Sequence, residues 1–288
     1  MRRPQEIERE KVAMTSIVQL TGAFEGIASA HIARIKTQVQ QSEIFFTDLW
    51  KIYTGLRVGK EFHSGHTVHG VTIDKELIII VTAEGSLSGD IDMRLIESML
   101  RVYDARKHDL IVIGHHGATL LDQRKITTKA AFRLPEQGDA SGQVEKIVQE
   151  VQHYRATTVY YQAYLSLMKQ EVKSIALSAA VQERGESLEK VADMNEYISE
   201  VNYIFEPSVA AVVDHMERSM LGVALSEVIL ESKLAQQASR FQAMSSARIR
   251  AKDSESDLIF QFNHAGRAVK DERTREIVSA LRMKGSIA

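Results

Sequence analysis

The stretch ESKLAQQASRFQAMSSARIRAKDSESDLIFQFNHAGRAV, from Glu231 to Val269, decides the fold. Leu234, Ala238 and Phe241 step by four and three, and Leu258, Phe262, Ala265 and Val269 repeat that step further on. A stripe this narrow reads as the seam of a coiled coil, since a globular helix buries a broader face. No proline interrupts residues 208–283, so the spacing predicts one helix over that reach. At a rise of about 1.5 Å per residue the helix would be roughly 110 Å long. That exceeds an ordinary domain, so the helix needs a partner along much of its length.

The other end of the chain supplies one. Residues 5–56 also lack proline, and Met14, Val18, Thr21, Ala28, Ile32, Ile35, Val39, Ser42, Phe46, Leu49, Tyr53 and Leu56 keep the same step. Glu25 fills the remaining slot. A seam held over so many heptads predicts a second coiled-coil helix, roughly 75 Å long, with a core helix of a bundle as the alternative. Gly55 and Gly59 mark its exit. Antiparallel pairing of the two helices is the simplest closure.

The middle of the chain changes character. LIIIVT, Leu77 to Thr82, reads as a buried strand, Met93 to Asp104 as an amphipathic helix, and Leu110 to Ile113 as a second strand ending in GHHG, Gly114 to Gly117. Strand, helix, strand at this spacing predicts a βαβ unit in a parallel sheet. A surface loop over Leu134–Gln143, a helix over Val144–Tyr154 and strands over Thr157–Tyr164, Ser174–Val181 and Asn202–Phe205 follow. Glu183 to Glu196 reads as a loop or a poorly seated helix, and Ser208 as the N-cap of the last helix. The expected fold class is α+β or α/β: a long antiparallel coiled coil of the terminal helices plus a small Rossmann-like α/β domain. The expected divisions are 1–58, 70–206 and 207–288.

Composition removes several functions. A formal net charge of −2 over 288 residues gives no bulk attraction for nucleic acid. Without cysteine there is no disulfide, thiolate metal site or cysteine nucleophile. MRRPQEIERE at the start lacks the apolar core of a signal peptide, and the longest apolar run, Leu77 to Val81, falls far below the ~20 residues of a membrane span, so no direct membrane insertion is expected. HSGHTVHG, His63 to Gly70, invites a metal reading, but it holds no acidic ligand and reads better as a solvated linker. The glycine turn after the first strand is not G-x-G-x-x-G, and Glu84, Asp90 and Asp92 would repel a phosphate, so no cofactor is expected. Ser86, Ser88, His115 and His116 admit a hydrolase only as a weak alternative, because the serines stand outside G-x-S-x-G.

Motifs then carry a resemblance. ESKLAQQASRFQAM, Glu231 to Met244, resembles E-S-x-x-S-E-x-x-x-R-x-x-A-M of the gamma subunit of F-type ATP synthases, with Glu231, Ser232, Arg240, Ala243 and Met244 matching. Asn263, Ala265, Ala268, Glu276, Ile277 and Val278 match that family's final helix. TAEGSLSGDID resembles T-S-D-R-G-L-C-G-G-L-N through Thr82, Leu87 and Gly89, IVIGHHG resembles its I-G-x-K-G turn, and FEPS, Phe205 to Ser208, resembles the approach to its last helix. Leu20 to Ala28, LTGAFEGIA, is similar to I-T-K-A-M-K-M-V-A, but Gly22 and Glu25 replace both lysines. Gly266 and Arg267 stand at the family's Arg-Gln pair, and Asp271 to Thr274 at its T-Q-E-I.

The resemblance implies a central rotor shaft that carries no catalytic residues and couples ion flow to ATP synthesis or hydrolysis. Its implied partners are the alpha and beta subunits of a surrounding ring, an epsilon-type subunit and a membrane ion-translocating ring. Its implied place is the cytoplasmic face of the cell membrane, as a peripheral subunit. The implied rotor–stator interface comprises Arg2, Arg3, Phe24, Glu25, Arg240, Asn263, Gly266, Arg267, Arg273 and Glu276. The seam is assigned to Val18, Ile32, Ile35, Val39, Phe46, Leu49, Leu234, Phe241, Leu258 and Phe262. Beyond Asn263 the last helix is expected to outrun its partner, with six basic residues (Arg267, Lys270, Arg273, Arg275, Arg282, Lys284) against three acidic ones (Asp271, Glu272, Glu276). The competing readings are a stand-alone coiled-coil interaction protein and, more weakly, a nucleotide-binding enzyme.

Ile35→Asp would place an unpartnered charge on the seam, and thermal melts should record a loss on the order of 3 kcal/mol or more.

Overall fold

The computed structural model describes residues 3–55, 73–135, 141–189 and 206–285. Arg2, the HSGHTVHG stretch, Asn202–Phe205 and residues 136–140 of the surface loop lie outside that set, as does the charged stretch beyond residue 189. Two helices dominate: α1, Pro4–Gly55, of 52 residues, and α6, Val209–Gly285, of 77. The chain forms two compact units, one of residues 1–27 with 241–288 and one of residues 28–240.

In the first unit α1 and α6 run antiparallel. Ile7 packs with Leu258 and Ala265. The Lys11 ammonium lies 5.1 Å from the centre of the Phe262 ring, the Thr15 hydroxyl donates to Glu255, and Arg248 pairs with Glu25 at 3.0 Å. Partner numbers on α6 fall as those on α1 rise. The buried residues of α6 here are Met244, Ala251, Leu258 and Ala265, seven apart, with Phe241, Glu255 and Phe262 half-buried beside them. This is the narrow heptad seam the spacing predicted. It ends past Ala265, where α1 begins at Pro4 and Val269 is 49% exposed. Residues 271–280 are all exposed.

The second unit holds the sheet. Its strands are β1 (Glu76–Val81), β2 (His108–Ile113), β3 (Ala130–Phe132), β4 (Thr157–Ser166) and β5 (Lys169–Ala176), in the order β3-β2-β1-β4-β5. The first four are parallel and β5 is antiparallel to β4. Helices α2 (Ile91–Leu100), α3 (His115–Gln123), α4 (Ser141–Val151) and α5 (Leu177–Glu189) connect and flank them. Strand β1 is buried on both sides, as central parallel strands are. Leu77, Ile79 and Val81 face α1, α4 and α6, while Ile78 and Ile80 face α2 and α3. Each such aliphatic side chain removed from water contributes about 1.5–3 kcal/mol.

On the first of these faces Phe46, Trp50 and Tyr53 of α1 meet Val213, Met216, Leu221 and Val228 of α6 in one core. Tyr53 donates to Glu217 at 3.1 Å, and burial followed by the Glu217 charge pushes the Tyr53 phenol well above its ordinary pKa. Along α1, Met14, Val18, Thr21, Glu25, Ala28, Ile32, Ile35, Val39, Ser42, Phe46, Leu49 and Tyr53 are all buried or half-buried, as the step predicted.

Four expectations need correction. Over residues 209–240, α6 does not present a narrow stripe. Leu234 and Ala238 are buried, but so are Ala235, Gln236 and Ser239, because the helix is packed by the sheet as well as by α1. The strand expected at Ser174–Val181 stops at Ala176, and α5 begins at Leu177, with Leu177 and Val181 buried one helical turn apart. The true strand is β5, whose Lys169, Glu171 and Lys173 mark a charged edge. Helix α3 and strand β3 were not expected. His115 and His116 open α3 instead of ending the strand before it. Elsewhere, Ser208 accepts from the Ala211 N–H at 3.2 Å, the N-cap the sequence pointed to.

GHHG owes both of its glycines to Thr82. Gly114 sits at φ 105°, and a Cβ there would stand 2.3 Å from the Thr82 carbonyl oxygen. At Gly117 a Cβ would stand 2.3 Å from the Thr82 hydroxyl, which accepts the Gly117 N–H. Gly114→Ala should therefore cost about 2 kcal/mol or more in urea unfolding, from backbone strain plus the clash.

Candidate functional site

In a doubly wound sheet the crevice for a ligand lies beyond the carboxyl ends of the strands, where the strand order reverses. That point falls between β1 and β4. The chain fills it with its own last helix.

Four elements meet there through a buried polar chain. Asp92 of α2 is fully buried, 0% exposed. It accepts from Gln162 Nε2 at 2.8 Å and from the Ala83 N–H at 3.3 Å, and it bonds His116 Nδ1 at 2.7 Å. Gln162 Oε1 accepts from Gln236 Nε2 at 3.1 Å and from the Ser232 hydroxyl. Ser232 also accepts from Gln236. One turn further on, the Ser239 hydroxyl donates to the Ser88 carbonyl at 2.6 Å, and Arg240 Nη2 donates to the Ser86 carbonyl at 3.4 Å. Gly89, at φ 71°, lets this turn come within reach of Ser239. The glycine turn after β1 thus grips a helix through its carbonyls.

The acidic residues of that turn are committed as well. Glu84 accepts the Leu134 N–H at 2.6 Å and the His115 N–H at 3.3 Å, an anion at the N-terminus of α3. The Asp92 hydrogen bond raises the pKa of His116 above its ordinary value against a smaller opposing effect of burial. Nearby, burial and then the Glu231 charge push the Tyr161 phenol up to about 12, and burial raises the Glu231 carboxyl. Ser88 is buried, His115 bonds Arg133 and His116 bonds Asp92, so among the described residues neither histidine bonds a serine. Nor does any group of described residues have the make-up of a metal site.

The residues assigned to a rotor–stator interface separate into two sets. Arg240 is turned onto Ser86, and Glu25 onto Arg248. Gly22 stands beside the same arginine, since a Cβ there would lie 3.3 Å from its guanidinium carbon. The two departures at Gly22 and Glu25 therefore belong together: one makes room for Arg248 and the other binds it. Arg3, Asn263, Arg267, Arg273 and Glu276 are exposed, and Phe24 is half-buried. Gly266 has no atom within 4 Å of where a Cβ would stand. Reading the sequence did not reveal the Asp92–Gln162–Ser232 chain. Its signal was Ser232, Gln236 and Ser239 recurring at helical spacing among apolar neighbours.

Known proteins resemble this chain over nearly its whole length. The family described as ATP synthase matches residues 4–282. The ATP synthase gamma chain of Chloroherpeton thalassium is 24% identical over 300 residues, covering 95% of each chain. That of Alkaliphilus metalliredigens is 24% identical over 286 residues, covering 96% of each. The fold is similar to a chain of the Euglena gracilis mitochondrial ATP synthase (OSCP/F1/c-ring), with a TM-score of 0.60 at 11% identity over 95% of this chain and 94% of that one. A chain from the central stalk and c-ring of the Tetrahymena thermophila enzyme gives a TM-score of 0.57 at 15% identity, over 79% of this chain and 99% of that one.

Gln162→Leu would leave Asp92, Ser232 and Gln236 without their shared partner. Urea unfolding should record a loss of about 2 kcal/mol or more, the cost of stranding buried polar groups.

Proposed function

Because this chain belongs to the gamma-chain family of F-type ATP synthases, whose central rotor shaft it supplies, we propose how its parts act in that shaft. The antiparallel helix pair stands inside a ring of alternating alpha and beta subunits. The α/β domain rests on the membrane ion-translocating ring beside an epsilon-type subunit, at the cytoplasmic face of the cell membrane. The chain itself catalyses nothing in this reading. Ion flow turns it, and its asymmetry carries the catalytic sites of the ring through successive states. Among the described residues no helix is long and apolar enough to cross a membrane, which agrees with a peripheral position.

The observation that carries the reading is the grip of the sheet on α6. Torque applied to the α/β domain must pass into the shaft, and hydrogen bonds donated by Ser232, Gln236, Ser239 and Arg240 to Gln162, Ser88 and Ser86 join the two directly. In this scheme Arg240 and Glu25 act from within the chain, holding the helices in position. Arg3, Phe24, Asn263, Arg267, Arg273 and Glu276 meet the ring. Gly266 leaves open space beside Arg267 for a beta-subunit loop to approach.

The test is reconstitution with alpha and beta subunits. The chain should co-purify with them, and Arg267→Ala should lower ATP-driven turnover and weaken its dependence on salt. Failure to co-assemble would favour a stand-alone coiled-coil protein. Assembly with unchanged rate and salt response would remove Arg267 from the interface.

A further inference from the structure

We propose that Asp92 and His116 form an acid-tightened latch between the carboxyl edge of the sheet and helix α6. The geometry is a relay of side chains. His116 bonds one oxygen of the fully buried Asp92, and Gln162 donates to the other. With its Nε2 held by Asp92, the Gln162 amide must turn its oxygen toward α6, where Ser232 and Gln236 donate to it. A carboxylate offers only acceptors, so its presence dictates which way the amide faces. Protonated His116 strengthens this arrangement by a charge-assisted bond, which outweighs a neutral one.

The surroundings leave Asp92 as the charged partner of His116. On the turn after β1, Glu84 is engaged by the Leu134 and His115 N–H groups. Arg133, beyond β3, bonds His115. On α2, Arg94 pairs with Asp90, and on α6 the Arg240 guanidinium is aimed at Ser86. The contribution of β4 is the neutral Gln162.

The sign follows from the direction of the shift. His116 is raised above 6.5 in the folded chain, so its stabilising contribution is complete below 6.5 and fades as pH rises through the folded value. Acid therefore tightens the hold on α6, and alkali loosens it without unfolding the domain. The inference rests on this geometry and is independent of the partners proposed above.

The experiment uses the full chain. Histidine C2–H resonances are followed by NMR against pH, with H116Q assigning the His116 signal. Urea unfolding is measured at about pH 6 and about pH 9, either side of an ordinary histidine. Amide exchange over residues 228–240, corrected for intrinsic rates, reports on the helix. His116 should titrate above 6.5, and D92N should return it toward that value. Relative to H116Q, the folding equilibrium of the natural chain should fall roughly two- to fivefold from acid to alkali, the range of a part-exposed ion pair. H116K should keep α6 protected at the alkaline end, where the natural chain loses protection. Titration of His116 at or below 6.5, or superimposable profiles for the natural chain and H116Q, would overturn the latch. So would a pH-independent protection of α6 in the natural chain.

Discussion

One side-chain amide, that of Gln162, determines how the last helix is seated. It lies where the strand order reverses, with Asp92 on one side and Ser232 and Gln236 on the other. An amide can serve a pure acceptor through its nitrogen and a pair of donors through its oxygen at once, which no carboxylate can do. Buried and fully matched, such a chain of bonds is worth keeping; broken anywhere, it strands polar groups away from water. The rest of the second unit follows from it. The helix occupies the crevice, the turn after β1 closes on Ser239 and Arg240, and the face of the sheet below is covered by apolar residues of α6 and α1.

Helix α6 solves two packing problems with one backbone. Over residues 209–240 it touches both a sheet and a helix, and a helix packed on two sides buries residues around much of its circumference. Within the first unit it faces α1 alone, and burial shrinks to one residue in seven with half-buried flanks. The change in pattern records a change in the number of neighbours and needs no change in helix type.

That distinction explains what could be read from the chain beforehand. The seam of α1 was legible because its slots, from Met14 to Tyr53, repeat without a break. Strands β1 and β2 were legible because parallel core strands read as continuous aliphatic runs. The first part of strand β5, Lys169 to Lys173, was missed for the opposite reason: it lies at the sheet's edge, and KQEVKS carries the charges of an edge. Its neighbour α5 was mistaken for strand because Leu177 and Val181 sit in a short apolar run that fits either period. The polar chain was out of reach altogether, since Gln162 stands 70 residues from both Asp92 and Ser232 and nothing local ties them.

The contact of Arg248 with Glu25 and Gly22 bears on how such chains diverge. Gly22 and Glu25 stand where the family motif quoted above has two lysines. An arginine at 248 facing two lysines would set three like charges together, and a side chain at position 22 would crowd its guanidinium. An exchange at any one of the three positions therefore bears on the other two. A hybrid joining the first helix of a lysine-bearing relative to the last helix of this chain would bring that clash into its seam. The two ends of the polypeptide, though far apart in the sequence, are tied to each other at these three positions.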